Sequence, residues 1–221
     1  MSSKAREAFD KNLADVARLL ELHRQEAGDS PGRKFGLEVL NKSAIVLITS
    51  CWEAYCEDLA EEALNCIVEH AKDSNALSKE IKKIISKDIK KDDNELSVWD
   101  IADNKWRDVL RQRFQELKET RNRKLNTPKH KNIDDLFESA IGLSNVSKSW
   151  LWAKKLTVEK AREKLDRFVE LRGAIAHRGK AETAISKAQV EDYLEFIKNA
   201  AAKTGGKVNK YVRDITGKDL F

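Results

Sequence analysis

The sequence predicts an all-α fold, a compact bundle of several helices with one inserted or peripheral helical segment, on three observations. Nine glycines and two prolines in 221 residues are too few to turn many β-hairpins. Charged residues make up 36%, against the usual quarter, as expected of helices with long solvated faces. Apolar side chains recur with a helical rather than an alternating period. At 41% hydrophobic, with five tryptophans, the chain still has enough apolar surface to build a core, so wholesale disorder is excluded. Its length predicts one domain, or one with an appendage. The longest apolar run, Ala44 to Ile48, is far too short to span a bilayer, and no apolar signal segment follows Met1. A soluble, cytoplasmic protein with no membrane partner is expected.

The elements follow from pattern and punctuation. Phe9, Leu13, Val16 and Leu20 form one stripe of a helix over residues 5–27. Residues 35–71 carry Leu37, Leu40, Ala44, Leu47, Cys51, Tyr55 and Leu59, widened by Ile45, Ile48 and Trp52 into the face of a buried spine. Trp99, Trp106, Leu110, Phe114 and Leu117 predict a third helix over 95–122, and Asn132, with Asp135 three residues on, a cap for a shorter one. Thr157 can cap a helix ending near Arg178, and Ser186 with Gln189 is a capping box for a helix reaching Lys203. Residues 1–203 thus form one helical domain, with 73–125 as a candidate helical insertion. Residues 204–221, with Lys207, Lys210, Arg213 and Lys218 around Tyr211, read as a basic C-terminal tail, docked or mobile.

Chemistry is narrowed first by absences. The chain has no phosphate-binding glycine loop, no dinucleotide fingerprint, no G-x-S-x-G elbow and no H-E-x-x-H. Cys51, Cys56 and Cys66 lack metal-ligand spacing and read as buried thiols; no metal and no cofactor is expected. Glu53, Glu57 and Glu61 form an i, i+4 ladder that could hold a divalent ion but more simply makes an acidic solvated face. Trp99 and Trp106, seven apart on one stripe, suit packing or a helical interface better than base stacking, whereas Trp150 and Trp152, followed by Lys154 and Lys155, are the better aromatic-basic surface, with a local core as the plainer reading. His23, His70 and His130 read as surface residues, of which His130 could touch phosphate.

His177 keeps different company. In Leu171-Arg-Gly-Ala-Ile-Ala-His-Arg-Gly179, Arg172 and His177 are separated by four small or apolar residues at the close of a helix. Five positions on an ideal helix leave their side chains about 140° apart, so they share a face only if the turn distorts or the helix ends there. Gly173, Ala174 and Ala176 leave room for another helix, or the equivalent helix of a second subunit, to approach closely. From spacing alone a structural or surface role is the plainer reading. The sharper one is RNA cleavage: an imidazole can take a proton from a ribose 2′-hydroxyl or give one to the departing 5′-oxygen, and a guanidinium can hold the phosphate as charge builds. That chemistry leaves a 2′,3′-cyclic phosphate.

The Arg172-to-His177 segment resembles the R-x4-6-H signature of the HEPN superfamily. Ser50-Cys-Trp-Glu-Ala-Tyr55, Asn126-Thr-Pro128 with Asn132-Ile-Asp-Asp-Leu-Phe137, and Val190-Glu-Asp-Tyr-Leu-Glu-Phe-Ile197 resemble the RiboL-PSP-HEPN group in particular, over residues 35–200. The resemblance implies a HEPN-type bundle, a homodimer in which two motif helices meet, and a composite site built from both copies of Arg172 and His177. It also implies metal-independent endoribonuclease activity, often in toxin-antitoxin or antiphage systems with an antitoxin or defence partner. Many active members carry a polar residue after the arginine where this chain has Gly173, so the alternative is a catalytically silent HEPN module that binds RNA or a partner protein. In the first reading Arg172 stabilises the phosphate, His177 shuttles protons, and Arg178, Lys180, Lys154 and Lys155 guide the RNA backbone. Charge distribution fits: residues 148–180 hold ten Lys or Arg against four Asp or Glu, whereas 53–100 hold seven against thirteen.

Overall fold

The computed structural model describes residues 3–27, 36–123, 127–178 and 184–221, and every regular element among them is helical. Seven α-helices run Lys4–Ala27 (α1), Glu38–His70 (α2), Lys79–Ile89 (α3), Trp106–Arg123 (α4), His130–Ile141 (α5), Val158–Arg178 (α6) and Lys187–Thr216 (α7), with short 3-10 turns at Ser74–Ala76, Glu95–Ile101 and Val146–Ser149. None of these helices is long and apolar enough to cross a membrane.

The spine is α2, and its composition explains why. Ile45, Ile48, Cys51, Trp52, Tyr55, Cys56, Leu59, Ala63, Leu64, Ile67 and Val68 point to several sides of the helix and are all buried. A helix with so wide an apolar face must be covered from several sides, and α1, α4, α5, α6 and α7 each pack on it, leaving Ser50, Asp58, Asn65 and Glu69 exposed. Its aromatic centre joins the layers: the Phe9 ring of α1 lies tilted against Tyr55 at 5.0 Å, and Trp52 meets Trp150 edge-on at 5.9 Å. Trp150 then donates its indole N–H to Thr204 Oγ1 of α7 at 2.9 Å. The N-terminus of α1 is capped across the interface, since Glu62 of α2 accepts the N–H groups of Lys4 and Ala5 at 3.2 and 3.0 Å.

Several expectations about element ends are met and others corrected. Thr157 and the Ser186–Gln189 capping box begin α6 and α7 as the sequence indicates. Asn132 does not cap α5: the helix starts earlier, at His130, whose backbone N–H is taken by Asp166 of α6 at 2.9 Å, and Asn132 instead bonds Thr127 O. The helix expected over 95–122 is two elements. Asn94 nucleates the 3-10 turn through a bond from Leu96 N–H, and Asp103, at φ +53°, reverses the chain before α4. The shared stripe of Trp99 and Trp106 is therefore broken, leaving Trp99 67% exposed and Trp106 2%. At the other end, α7 does not stop at Lys203 but continues to Thr216, burying Thr204, Val208 and Val212. Gly205 permits this, because a Cβ there would lie 2.8 Å from Tyr55 Oη; Tyr55 in turn donates to Ala201 O at 2.9 Å. Helix α5 ends at Gly142, whose φ of +74° and contact with Ser78 and Ile81 of α3 both demand glycine.

Candidate functional site

Helix α6 carries two stripes of different chemistry, and the motif residues terminate one each. Ala161, Leu165 and Val169 are buried, and Arg172, seven positions after Leu165, falls within about 20° of it on the helix wheel. The apolar stripe thus ends in a guanidinium turned toward α2. There Arg172 Nη2 donates to Glu53 Oε2 at 3.4 Å, with the two side chains 19% and 23% exposed. Arg172 Nε is buried and has no hydrogen-bond partner among the described residues.

Behind the guanidinium lies a buried hydroxyl pair. Thr49 Oγ1 donates to Ile45 O at 2.8 Å, which uses its one hydrogen, so the 3.1 Å contact with Tyr193 Oη of α7 is donated by the tyrosine. Phe168 of α6 stacks on the Tyr193 ring at 3.9 Å. Burial pushes the Tyr193 phenol well above its usual range, while the Thr49 bond and the Arg172 charge oppose the shift.

The second stripe is polar. Arg162 reaches Ser147 Oγ at 2.8 Å and Asp134 at 3.4 Å. Asp166 holds His130 Nδ1 at 2.8 Å, and Glu170 accepts from Lys129 Nζ at 2.6 Å. A carboxylate can only accept, so His130 carries its hydrogen on Nδ1. His130 is consequently fixed against α6 rather than loose on the surface. His177 lies within about 20° of Asp166 and Glu170 on the wheel; it is exposed and makes no ion pair or hydrogen bond among the described residues.

One chain therefore separates the two motif side chains. Helix α6 is continuous from Val158 to Arg178, so the 140° offset persists: Arg172 faces the core and His177 faces out. Gly173 between them opens on space, with nothing within 4 Å of a Cβ placed there.

The remaining site residues divide. Lys154 and Lys155 are exposed in the turn before α6. The indoles beside them follow the plainer reading of a local core and form no aromatic-basic surface with them: Trp150 is fully buried and Trp152 packs on Phe196 at 5.3 Å. The Arg178 side chain and the whole of Lys180 lie outside the described residues. Glu53 is not part of a solvated acidic face, because it turns inward to Arg172. Among the described residues no three His, Cys, Asp or Glu side chains converge as a metal site. Cys51 and Cys56 are buried as expected and Cys66 is half-buried; burial raises the Cys51 and Cys66 thiols above their usual range.

Sequence reasoning overlooked Glu53 as the partner of Arg172, and the Thr49–Tyr193 hydroxyl pair close enough to feel its charge. The signal was present in the seven-residue step from Leu165 to Arg172, which puts a charge on a buried stripe and requires a partner across the interface.

No curated protein and no solved structure matches this chain. The family model described as RiboL-PSP-HEPN matches residues 11–209, from within α1 to within α7, and so covers every helix that forms the site. With its all-helical architecture and its motif on α6, the chain belongs to the RiboL-PSP-HEPN family, a group of HEPN domains among which ribonucleases are common.

Proposed function

We propose that this protein is a metal-independent endoribonuclease working as a homodimer, with a composite site drawn from Arg172 and His177 of both copies. The observation that carries the reading is the split of the motif in one chain: a guanidinium with a buried donor on one side of α6 and an exposed imidazole on the other, that donor and the imidazole both without a partner among the described residues. Two α6 helices meeting across Gly173, Ala174 and Ala176 would bring the outward His177 of each copy to a common cleft.

In the reaction, neutral His177 accepts the 2′-hydroxyl proton as the 2′-oxygen attacks phosphorus. The bond from phosphorus to the 5′-oxygen breaks, and an imidazolium returns a proton to that oxygen, leaving a 2′,3′-cyclic phosphate and a free 5′-hydroxyl. Arg172 holds the non-bridging oxygens as their charge rises. Exposed Lys154 and Lys155, with Arg178 and Lys180, draw the RNA backbone toward the helix end. A cytoplasmic toxin-antitoxin or antiphage setting, with a neutralising or defence partner, suits a nuclease of this family.

The Arg172–Glu53 pair favours a second reading, in which the arginine is structural and the chain is a silent module binding RNA or a protein. Labelled RNA in EDTA separates the two. Cleavage abolished by Arg172→Ala and by His177→Ala supports the nuclease, and cleavage surviving either change removes this mechanism. Mixing the two inactive variants tests the composite site, because the heterodimer then holds one intact Arg172 and one intact His177 on different copies, and any regained cleavage requires that the two copies share a cleft. A protein that cleaves no RNA is the silent module.

A further inference from the structure

Away from α6, the structure collects a second basic surface that the sequence average hides. Six of the seven lysines and arginines in residues 53–100 lie between Lys79 and Lys91, where only Glu80 and Asp88 oppose them. On α3, Lys79, Lys82, Lys83, Lys87 and Lys90, with Ser86, line an open depression of about 510 Å³. Lys79, Lys83 and Lys90 fall within about 40° on the helix wheel and span about 16 Å along the axis, so the ammonium groups form a rail rather than a point.

The rail is not neutralised from within. None of the five lysines forms an ion pair among the described residues, and only Lys82 has a hydrogen bond, to Asn75 O at 3.0 Å. Asp88 is drawn to the far side by Arg113, whose Nε lies 2.9 Å from its carboxylate and which also bonds Ser139 O of α5. The apolar residues Ile81 and Ile85 are buried against the body of the protein. The exposed face thus presents charge without apolar anchors. A protein partner would want a desolvated aromatic or aliphatic centre, and an interfacial membrane helix would want an apolar face in the lipid; neither is offered here. A row of strongly hydrated point charges fits a repeating polyanion.

We infer that the lysine face of α3 is a second RNA-binding surface, which holds the phosphate backbone of a long substrate at a distance from Arg172 and His177. The inference rests on the ribonuclease reading for its choice of polyanion. Helix α5 packs between α3 and α6: a Cβ at Gly142, at its C-terminus, would meet Ser78 and Ile81, and His130 at its N-terminus bonds Asp166. The twelve residues of α5 span about 18 Å, so a dinucleotide cannot occupy both surfaces and a longer strand can.

The test is a quadruple change, Lys79→Gln, Lys83→Gln, Lys87→Gln and Lys90→Gln, all at exposed positions. Binding of a labelled 30-nucleotide single-stranded RNA is followed by anisotropy against salt, with both proteins carrying Arg172→Ala to prevent turnover. Four lost phosphate contacts lower the slope of log K against log salt by about 3, so the affinity gained on going from 200 to 50 mM salt shrinks by about 50-fold. In the background with Arg172 intact, KM for the long RNA rises and dinucleotide cleavage is unchanged. An unaltered slope overturns the inference even if the protein proves a nuclease. A reduced slope in a protein that cuts nothing upholds this surface and fails the nuclease instead. Loss of binding to phosphatidylserine vesicles with an unaltered RNA slope assigns the face to membranes and also overturns it.

Discussion

Gly173→Ala separates what α6 does within one chain from what it does between two. Gly173 is interior to the helix, and the added methyl meets nothing within 4 Å. Within the chain the change therefore brings only propensity, about 0.8–1 kcal/mol in favour of the helix, which in a chain of this size raises Tm by about 2–4 °C. Across a dimer the sign reverses. If two motif helices cross at Gly173, Ala174 and Ala176, two new methyls enter one close contact, and overpacking of that kind costs about 1–3 kcal/mol. The dimer then weakens by roughly five- to 150-fold. Thermal unfolding at a concentration where the protein is monomeric, paired with a sedimentation-velocity dilution series, reads both terms, and RNA cleavage should fall with the dimer. A lower monomer Tm would show that Gly173 is not open. An unchanged dimer constant would show that the motif helices do not meet there, and the composite cleft would have to be abandoned.

Gly205→Ala should destabilise the protein by up to about 2 kcal/mol, read as a lower urea midpoint, because overpacking against Tyr55 Oη, 2.8 Å from the added Cβ, outweighs a helix-propensity gain of about 1 kcal/mol; a midpoint above that of the unaltered chain would mean the contact yields freely. Alkali should weaken the fold. Burial raises both the Tyr55 and the Tyr193 phenols above their ordinary value of 10.0, so the folded chain keeps two protons that the unfolded chain loses. Their stabilisation is complete below about pH 10 and then falls by about 1.4 kcal/mol per pH unit per tyrosine; urea midpoints at pH 9, 10 and 11 check this, and a flat profile refutes it. A double-mutant cycle of Glu53→Gln with Arg172→Gln should give a coupling of about 1 kcal/mol, small because both side chains are a fifth exposed at 3.4 Å, and zero coupling would make the pair incidental.

Where one helix's own pattern decides its place, the sequence was legible: the wide apolar face of α2 and the caps at Thr157 and Ser186 were all readable locally. The misreadings arose where a distant residue decides. Asn132 is a good cap in isolation, yet Asp166, 34 positions away in sequence, captures His130 N–H at 2.9 Å and starts α5 earlier. Gly205 and Gly206 look like the end of a helix, but α7 persists because its close contact with Tyr55 buries the next two turns. The lysines of α3 were lost in a window average, since spreading them among the acids of α2 and the Glu95–Ile101 turn erased their shared face. At the motif, the residue types and their 140° offset were visible, whereas Glu53, Thr49 and Tyr193 come from α2 and α7 and needed the tertiary packing to be seen.

The setting of Arg172 also bears on how a salt-bridged arginine can serve a phosphate. A guanidinium has five donors, and Glu53 takes one of them through a single long contact at 3.4 Å, not the paired bonds of a bidentate clamp. Nε is buried without a protein partner among the described residues, and a buried donor left unmade costs about 1–3 kcal/mol. The resting arrangement is thus a compromise: Glu53 keeps the charge from being buried alone, and Nε is left without a protein acceptor among the described residues. A phosphate arriving beside α6 offers several acceptor oxygens, so a rotation that carries the guanidinium toward it relieves the Nε deficit and need not forfeit Glu53. An arginine fully satisfied by its own protein would gain much less from such a move. The pairing with Glu53 is for this reason compatible with the catalytic role, and the choice between nuclease and silent module turns on whether two copies of His177 can reach the same phosphate.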